Sequence, residues 1–273
     1  MNAAMRKRSR IALTFLLLAV IGGIAWLALR PSEPDPVYKG KRLSVWLEDY
    51  VDPNSTSIAV TDSDETDEAV RRLGTNAIPI LLRRLRAKDS TFTSLLGFLS
   101  RKLHLFKVNF TPAWLLQQEG IQGFQALGSN GKAAVPELIR MYALISSQKN
   151  QNAVAAALGG IGPAAEDAVP ILVGSLADTR SDSRSRRSAI VALGHIHAHP
   201  EIALPALVKC LGDQNSFARQ HAAQAIGAFD SDAKLAVPDL LKLLTDSSVD
   251  VQGAARDAIK QIDPEAAAKA GLK

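Results

Sequence analysis

Cysteine occurs once in the 273 residues, as Cys210, which excludes an internal disulfide framework and any cysteine-rich metal module. Aromatics make up only 5% of the chain beside 47% apolar residues. Alanine and leucine dominate the apolar share, a composition that suits stacked helices better than a sandwich or barrel. The signatures of several reaction classes are missing. There is no Walker-type phosphate loop, no G-x-S-x-G nucleophile elbow and no H-E-x-x-H zinc motif. Gly160-Ile161-Gly162-Pro163-Ala164-Ala165 fits G-x-G-x-x-A, but it follows a helical pattern and not a strand, so no dinucleotide site is implied. A surplus of charge on the folded part is missing too. Arg6, Lys7, Arg8 and Arg10 carry most of the net +5, and the remaining chain holds 28 basic against 27 acidic residues. Nucleic-acid binding needs an excess of cations there, and none is expected as a partner.

What the N-terminus does hold is a run of nineteen uncharged residues, Ile11 to Leu29, closed by Arg30-Pro31. At about 1.5 Å per residue such a helix measures roughly 28 Å, close to the hydrocarbon thickness of a bilayer. The expected organisation is a cytoplasmic basic tail at 1–10 and a single-pass transmembrane anchor at 11–29. The cations before the span hold the N-terminus in the cytoplasm, so everything after Arg30 is exported, to the periplasm or an equivalent extracytoplasmic side. A cleaved signal peptide is the alternative. Gly23 and Ala25 can serve as its small residues at −3 and −1, although no polar stretch precedes them and Trp26 to Leu29 continues the apolar run. Residues 30–66 then read as a spacer, a short helix and an acidic loop. Pro31 to Pro36 is stiff and polar, and Leu43, Trp46, Leu47 and Tyr50 recur at helical spacing on one face. Asp52 to Glu68 is acidic and rich in Ser, Thr and Asn, which predicts a flexible loop. Asp62 to Asp67 mimics a calcium loop but has Asp67 where its sixth-place glycine belongs and Leu73 where its twelfth-place glutamate belongs.

From residue 67 to 273 the chain repeats itself, in six stretches that open at Glu68, Gly123, Ala155, Ala189, Ala222 and Ala254. Aligned glycines fall at 74, 128, 159, 194 and 227, and aligned prolines at 79, 136, 170, 205 and 238. After a wider first interval the glycine gaps are 31, 35 and 33 residues and the proline gaps 34, 35 and 33. A period of this size marks a solenoid, with two helical patterns per unit. An Ala-rich helix ends in Leu-Gly or Ile-Gly, where glycine is expected as the left-handed C-cap, and a second helix opens with proline in its first turn. Lys260 stands at the glycine position of the last unit, as suits a solvated cap.

This pattern resembles the HEAT-repeat family, bacterial type, similar to the HEAT-like repeats of phycobilisome lyases, over residues 67–263. The fold class implied is all-α, an α-solenoid of HEAT-like helix pairs, and the uncharged run Ile11–Leu29 adds a single N-terminal transmembrane helix before it. The family stacks an Asp on the inter-helix turn and an Arg in the next helix into a ladder. Asp213 with Arg219, six residues apart, matches that spacing; Asp246 keeps it to Gln252 without the cation, and Asp178 with Arg186 carries a two-residue insertion. In such a ladder the aspartate accepts N–H bonds from the following helix and the arginine bridges to a neighbouring aspartate. A hydroxylase branch of HEAT-repeat proteins binds di-iron through His-Glu dipeptides. None of His104, His195, His197, His199 and His221 is followed by glutamate, so that activity is not expected.

One feature breaks the period. Gly74 and Gly128 are 54 residues apart, which implies an insertion at about 90–114. Six of the fourteen aromatics lie between Phe92 and Phe124, and residues 71–107 hold nine bases against one acid. Thr111-Pro112 reads as an N-cap and N1 pair opening a helix that runs through Leu127. The insertion reads either as a thickened cap, its basic helix neutralised by the acids of 48–68, or as a contact surface for a partner or for anionic lipid. The contact candidates are Phe98, Arg101, Lys102, Phe106, Lys107 and Trp114. His195-Ile196-His197-Ala198-His199 is the cluster a metal would use, but it occupies an ordinary inter-helix turn, and neither a metal nor a cofactor is expected. Cys210 reads as a packed core thiol. The functional expectation is a non-catalytic, membrane-anchored and exported scaffold that binds another protein. The alternative is a bilin-lyase-like enzyme or enzyme-assisting subunit with a tetrapyrrole pocket on the solenoid.

Overall fold

A computed structural model describes residues 35–50, 64–89, 111–144, 148–177 and 183–272. The expected anchor at 11–29, the insertion from 90 to 110 and Asp178 lie outside the described residues. Two units are distinguished, Met1–Asp35 and Pro36–Lys273, and the described fold belongs to the second. The short helix near residue 43, expected in a segment before the solenoid, is therefore part of the same compact unit as the repeats.

That unit opens with an antiparallel hairpin, β1 (Val37–Tyr38) and β2 (Lys41–Arg42), in the register Val37 to Arg42 and Tyr38 to Lys41. Its turn residues, Lys39 at φ 48° and Gly40 at φ 78°, both adopt the left-handed backbone of a type I′ turn, whose twist matches the strands. The chain then enters α1 (Leu43–Leu47), which continues as a 3₁₀ turn to Tyr50. Leu43, Trp46, Leu47 and Tyr50 are all buried, so the face expected from the spacing is the face that packs. The Trp46 indole N–H donates to the Tyr38 carbonyl at 3.2 Å, and the Lys41 ammonium sits 4.1 Å over the Trp46 ring.

Helix α2 runs over Asp64–Leu73, so the expected loop ends earlier than Glu68. Asp64, Glu65 and Asp67 fall in its first turn, where the helix dipole favours carboxylates, and this also removes Asp64 to Asp67 from any calcium loop. Helix α3 is Ile78–Leu85. The following pairs are α4 (Ala113–Leu127) with α5 (Val135–Leu144), and α6 (Gln148–Ile161) with α7 (Val169–Ala177). Then come α8 (Ser183–Ile196) with α9 (Pro200–Cys210), and α10 (Ser216–Gly227) with α11 (Val237–Lys242). The array closes with α12 (Val249–Ile262) and α13 (Pro264–Lys269). The first helix of each pair packs on the first helix of the next, α4 on α6, α6 on α8, α8 on α10 and α10 on α12, and one apolar core runs from Leu43 to Ala267. This nearest-neighbour stacking makes the unit an all-α solenoid. Gln151–Ala177 has the length and composition of a membrane span, but Gly162 at φ 73° breaks it into α6 and α7, whose apolar faces belong to that core.

The aligned glycines divide into two kinds. Gly74 (φ 55°) and Gly128 (φ 54°) do end their helices in the left-handed region, as expected. Gly159, Gly194 and Gly227 do not; they lie inside or at the end of α6, α8 and α10 against the next first helix. A Cβ added at Gly194 would come within 2.8 Å of Ala225 Cα, and one at Gly159 within 3.1 Å of Ala192 Cα. Their job is close helix approach, not capping. The left-handed turn residues of those repeats are instead Gly162, His197 and Asp230, each standing eight positions before Pro170, Pro205 or Pro238, as Gly128 stands before Pro136. A second correction concerns Pro205, expected in a first turn. Helix α9 begins earlier, with Pro200 in its first turn, and Pro205 lies inside it.

Candidate interaction surfaces

The charged residues expected to form a ladder are brought together between consecutive repeats. Asp213 stands on the turn between α9 and α10; its Oδ1 accepts the Asn215 N–H at 2.8 Å, and its Oδ2 accepts from Arg186 on α8 at 2.6 Å. Arg219, on α10, grips both carboxylate oxygens of Asp246 through Nε (2.8 Å) and Nη2 (2.7 Å). Its Nη1 donates back to the Asp213 carbonyl at 2.8 Å, so the contact between Asp213 and Arg219 runs through the main chain and not through two side chains. Asp246 repeats the local pattern by accepting the Ser248 N–H at 2.8 Å. Gln252, where the cation has been lost, still donates to the Asp246 carbonyl at 2.7 Å. The two-pronged bond from Arg219 holds the Asp246 carboxyl below the usual range, and the same bond raises Arg219. The partner expected for Arg186, Asp178, lies outside the described residues.

Of the contact candidates, Trp114 lies on α4 and is 55% exposed. Phe98, Arg101, Lys102, Phe106 and Lys107 lie outside the described residues. Both ends of the insertion are held at one place. Asp89 Oδ1 accepts the Ala113 N–H at 2.9 Å, and the Gln117 side chain donates to the Ala87 carbonyl at 2.8 Å. Asp89 therefore supplies the side-chain cap expected of Thr111, and the N-cap position itself is Pro112 with an extended backbone. Part of the basic excess is neutralised locally. Arg71 and Arg72 pair with Asp67 and Glu68 one turn earlier on α2, and Arg86 and Arg140 share Glu137, which those bonds hold down at about 2.

Sequence reasoning missed one charged residue entirely. Glu119, on α4, is 2% exposed and faces Arg84 on α3. Arg84 Nε and Glu119 Oε2 are 3.1 Å apart, yet neither atom has a hydrogen bond of acceptable angle, while the Arg84 Nη2 donates to the Ser44 carbonyl at 3.1 Å. Burial pushes the Glu119 carboxyl up to about 7, against the pull of Arg84 and with a small push from Glu48. No sequence signal distinguishes it from a solvated helical glutamate.

The histidine cluster does not converge. His199 Nδ1 lies 3.1 Å from Glu201, His197 Nδ1 lies 3.1 Å from the His195 carbonyl, and both His197 and His199 occupy left-handed turn backbone. Among the described residues no three His, Cys, Asp or Glu side chains are placed to hold a metal ion. Cys210 is buried, and burial, then Asp213, raises its thiol to about 11.

Residues 179–260 match the family model for HEAT repeats, a span that contains every described rung of the ladder. That span carries HEAT repeats. No curated protein matches it in sequence. Among solved structures it is similar to an engineered protein, with 24% identity over 84% of this chain and a TM-score of 0.45. The match spans 60% of that protein's length.

Proposed function

We propose that this protein is a non-catalytic HEAT-repeat scaffold, anchored in the membrane by Ile11–Leu29 and exported, that holds another protein. The ladder carries the reading. Arg186, Asp213, Arg219 and Asp246 bond to one another and to turn backbone, so this polar network is spent on holding repeats in register. The anchor rests on the uncharged span and the four cations before it. The 90–114 insertion is the proposed contact surface, supported by its concentration of aromatics and cations, its pinned ends and the exposed Trp114 at its foot.

A topology reporter fused after Lys273 tests export; activity only in the cytoplasm refutes it. Cross-linking in cells, comparing Phe98→Ala/Phe106→Ala with Arg101→Ala/Lys102→Ala, tests the surface. A protein partner is lost chiefly with the aromatics, a lipid contact chiefly with the cations and with added salt. If both variants fold and keep every contact, the insertion is a cap. A visible-absorption change on mixing with bilins replaces the scaffold reading with the lyase-like one.

A further inference from the structure

The scaffold reading leaves the partner's chemistry open, and a groove between α10 and α12 narrows it. The groove encloses about 390 Å³. Gln220 and Gln224 line it from α10, and Asp250, Gly253, Asp257 and Gln261 from the facing side of α12, at the three- and four-residue spacing of one helix face. At one end the helices close, since a Cβ on Gly227 would meet Ala258 Cα at 3.2 Å; at Gly253 they part, and a Cβ there meets nothing within 4 Å. Asp250 and Asp257 are exposed and form no ion pair among the described residues. Of the nearby cations on α12, Arg256 stands about 100° round the helix from Asp257, and Lys260, one turn on and about 60° round, has an interaction of its own.

Seven residues of helix separate the two carboxylates by about 10 Å along the axis. A single metal ion needs oxygens within about 2.6 Å of itself, so the pair offers two separate cation positions and not one metal site. An extended polyproline-type chain presents side chains in one direction every three residues, about 9 Å apart, which matches this separation. Such a chain leaves its N–H and C=O groups unpaired, and the amides of Gln220, Gln224 and Gln261 can both donate and accept. Val249, 77% exposed at the rim, offers apolar cover for the aliphatic stem of a lysine or arginine. We propose that the α10–α12 groove docks an extended cationic peptide segment of a partner protein, with two basic side chains three residues apart seated on Asp250 and Asp257. This rests on the scaffold reading and names the chemistry of its partner.

The test measures fluorescence anisotropy of labelled Lys-Pro-Pro-Lys and Glu-Pro-Pro-Glu peptides titrated with the full chain in detergent. The lysine peptide is expected to bind and the glutamate peptide not. Asp250→Asn/Asp257→Asn removes two charge-assisted contacts and weakens binding by about tenfold or more. Gly253→Leu fills the groove; its side chain enters open space and leucine is the better helix former, so the protein folds and binding is lost. Glu166→Gln removes one charge from the turn before α7, where Glu166 pairs with Lys132, and leaves binding unchanged. Absence of lysine-peptide binding overturns the proposal, as does full binding by the Asp250/Asp257 variant or an equal loss with Glu166→Gln. Cross-linking in cells reads the scaffold separately, so failed peptide binding with persisting cross-links overturns the groove alone.

Discussion

Glu119 makes stability depend on pH in a direction opposite to that of an ordinary salt-bridged carboxylate. Its carboxyl titrates near 7 in the folded protein and near 4.5 when exposed, because burial between α3 and α4 outweighs the attraction of Arg84. The folded state therefore holds its proton more tightly than the unfolded state. The associated stability is fully present below about pH 4.5 and is lost as pH rises through about 7. At about 1.4 kcal/mol per unit, full ionisation costs on the order of 3 kcal/mol. With a urea dependence of about 3 kcal/mol per M, that moves the unfolding midpoint by about 1 M. The groups that act on the carboxyl are Arg84 from α3 and Glu48 from the turn after α1, so the strain falls where residues 36–50 meet the first repeats. The measurement is the urea midpoint of the compact unit from Pro36 to Lys273 between about pH 5 and pH 8.5, for the wild type and Glu119→Gln. Other titrating groups contribute equally to both proteins and cancel in the difference. The wild type is expected to lose stability relative to Glu119→Gln as pH rises, with the change centred between the two pKa values. Parallel curves would refute the buried, proton-holding carboxyl.

Further outcomes follow from the packing. Gly194→Ala forces a Cβ to 2.8 Å from Ala225 Cα and is expected to cost about 1–3 kcal/mol in chemical unfolding, whereas Gly253→Ala, with open space above it, is expected to stabilise by about 0.5–1 kcal/mol. Asp213→Ala removes the acceptor of the Asn215 N–H and the partner of Arg186, and should cost about 1–2 kcal/mol. Hydrogen exchange should quicken in α8 to α10 and stay unchanged in α2 and α3, because repeats couple to their nearest neighbours. Arg219→Lys keeps the charge but cannot span both oxygens of Asp246, and should lower the midpoint measurably where a mere charge requirement would not.

The repeat and its helix pairs were legible because two periodic signals survive in the sequence: a leucine-rich helix face and a proline at the second helix. The role of the glycine column was not. Turn glycines and contact glycines lie three residues apart, as Gly159 and Gly162 do, and a period of about 34 residues cannot separate them. Eight residues before the proline, the left-handed position is filled by Gly128, Gly162, His197 and Asp230 in turn. Histidine and aspartate tolerate that backbone well enough to replace glycine, which erases the compositional mark of the turn. Two of the three histidines that suggested a metal cluster, His197 and His199, are such turn residues, while His195 closes α8. The hairpin at 37–42 was hidden for a different reason, since two residues per strand leave no alternation to detect. Glu119 and the α10–α12 groove depend on which helices become neighbours, and no single helix records that.

The contact column also explains its own ends. Gly159, Gly194 and Gly227 each face an alanine of the following first helix, at Ala192, Ala225 and Ala258, so each layer needs the small residue only because another layer follows. No further first helix follows α12 among the described residues, and Lys260 takes the glycine position there without crowding a next layer. At the other end the equivalent position is Gln125, and the close approach is solved from the opposite side. A Cβ on Gly160 of α6 would meet Gln125 Cα at 3.1 Å, so α6 carries adjacent glycines, one facing back to α4 and one facing forward to α8. Interhelical distance in a solenoid is thus fixed by whichever helix gives way. A repeat read one column at a time misses half of those contacts, because the small residue moves from one partner to the other between layers.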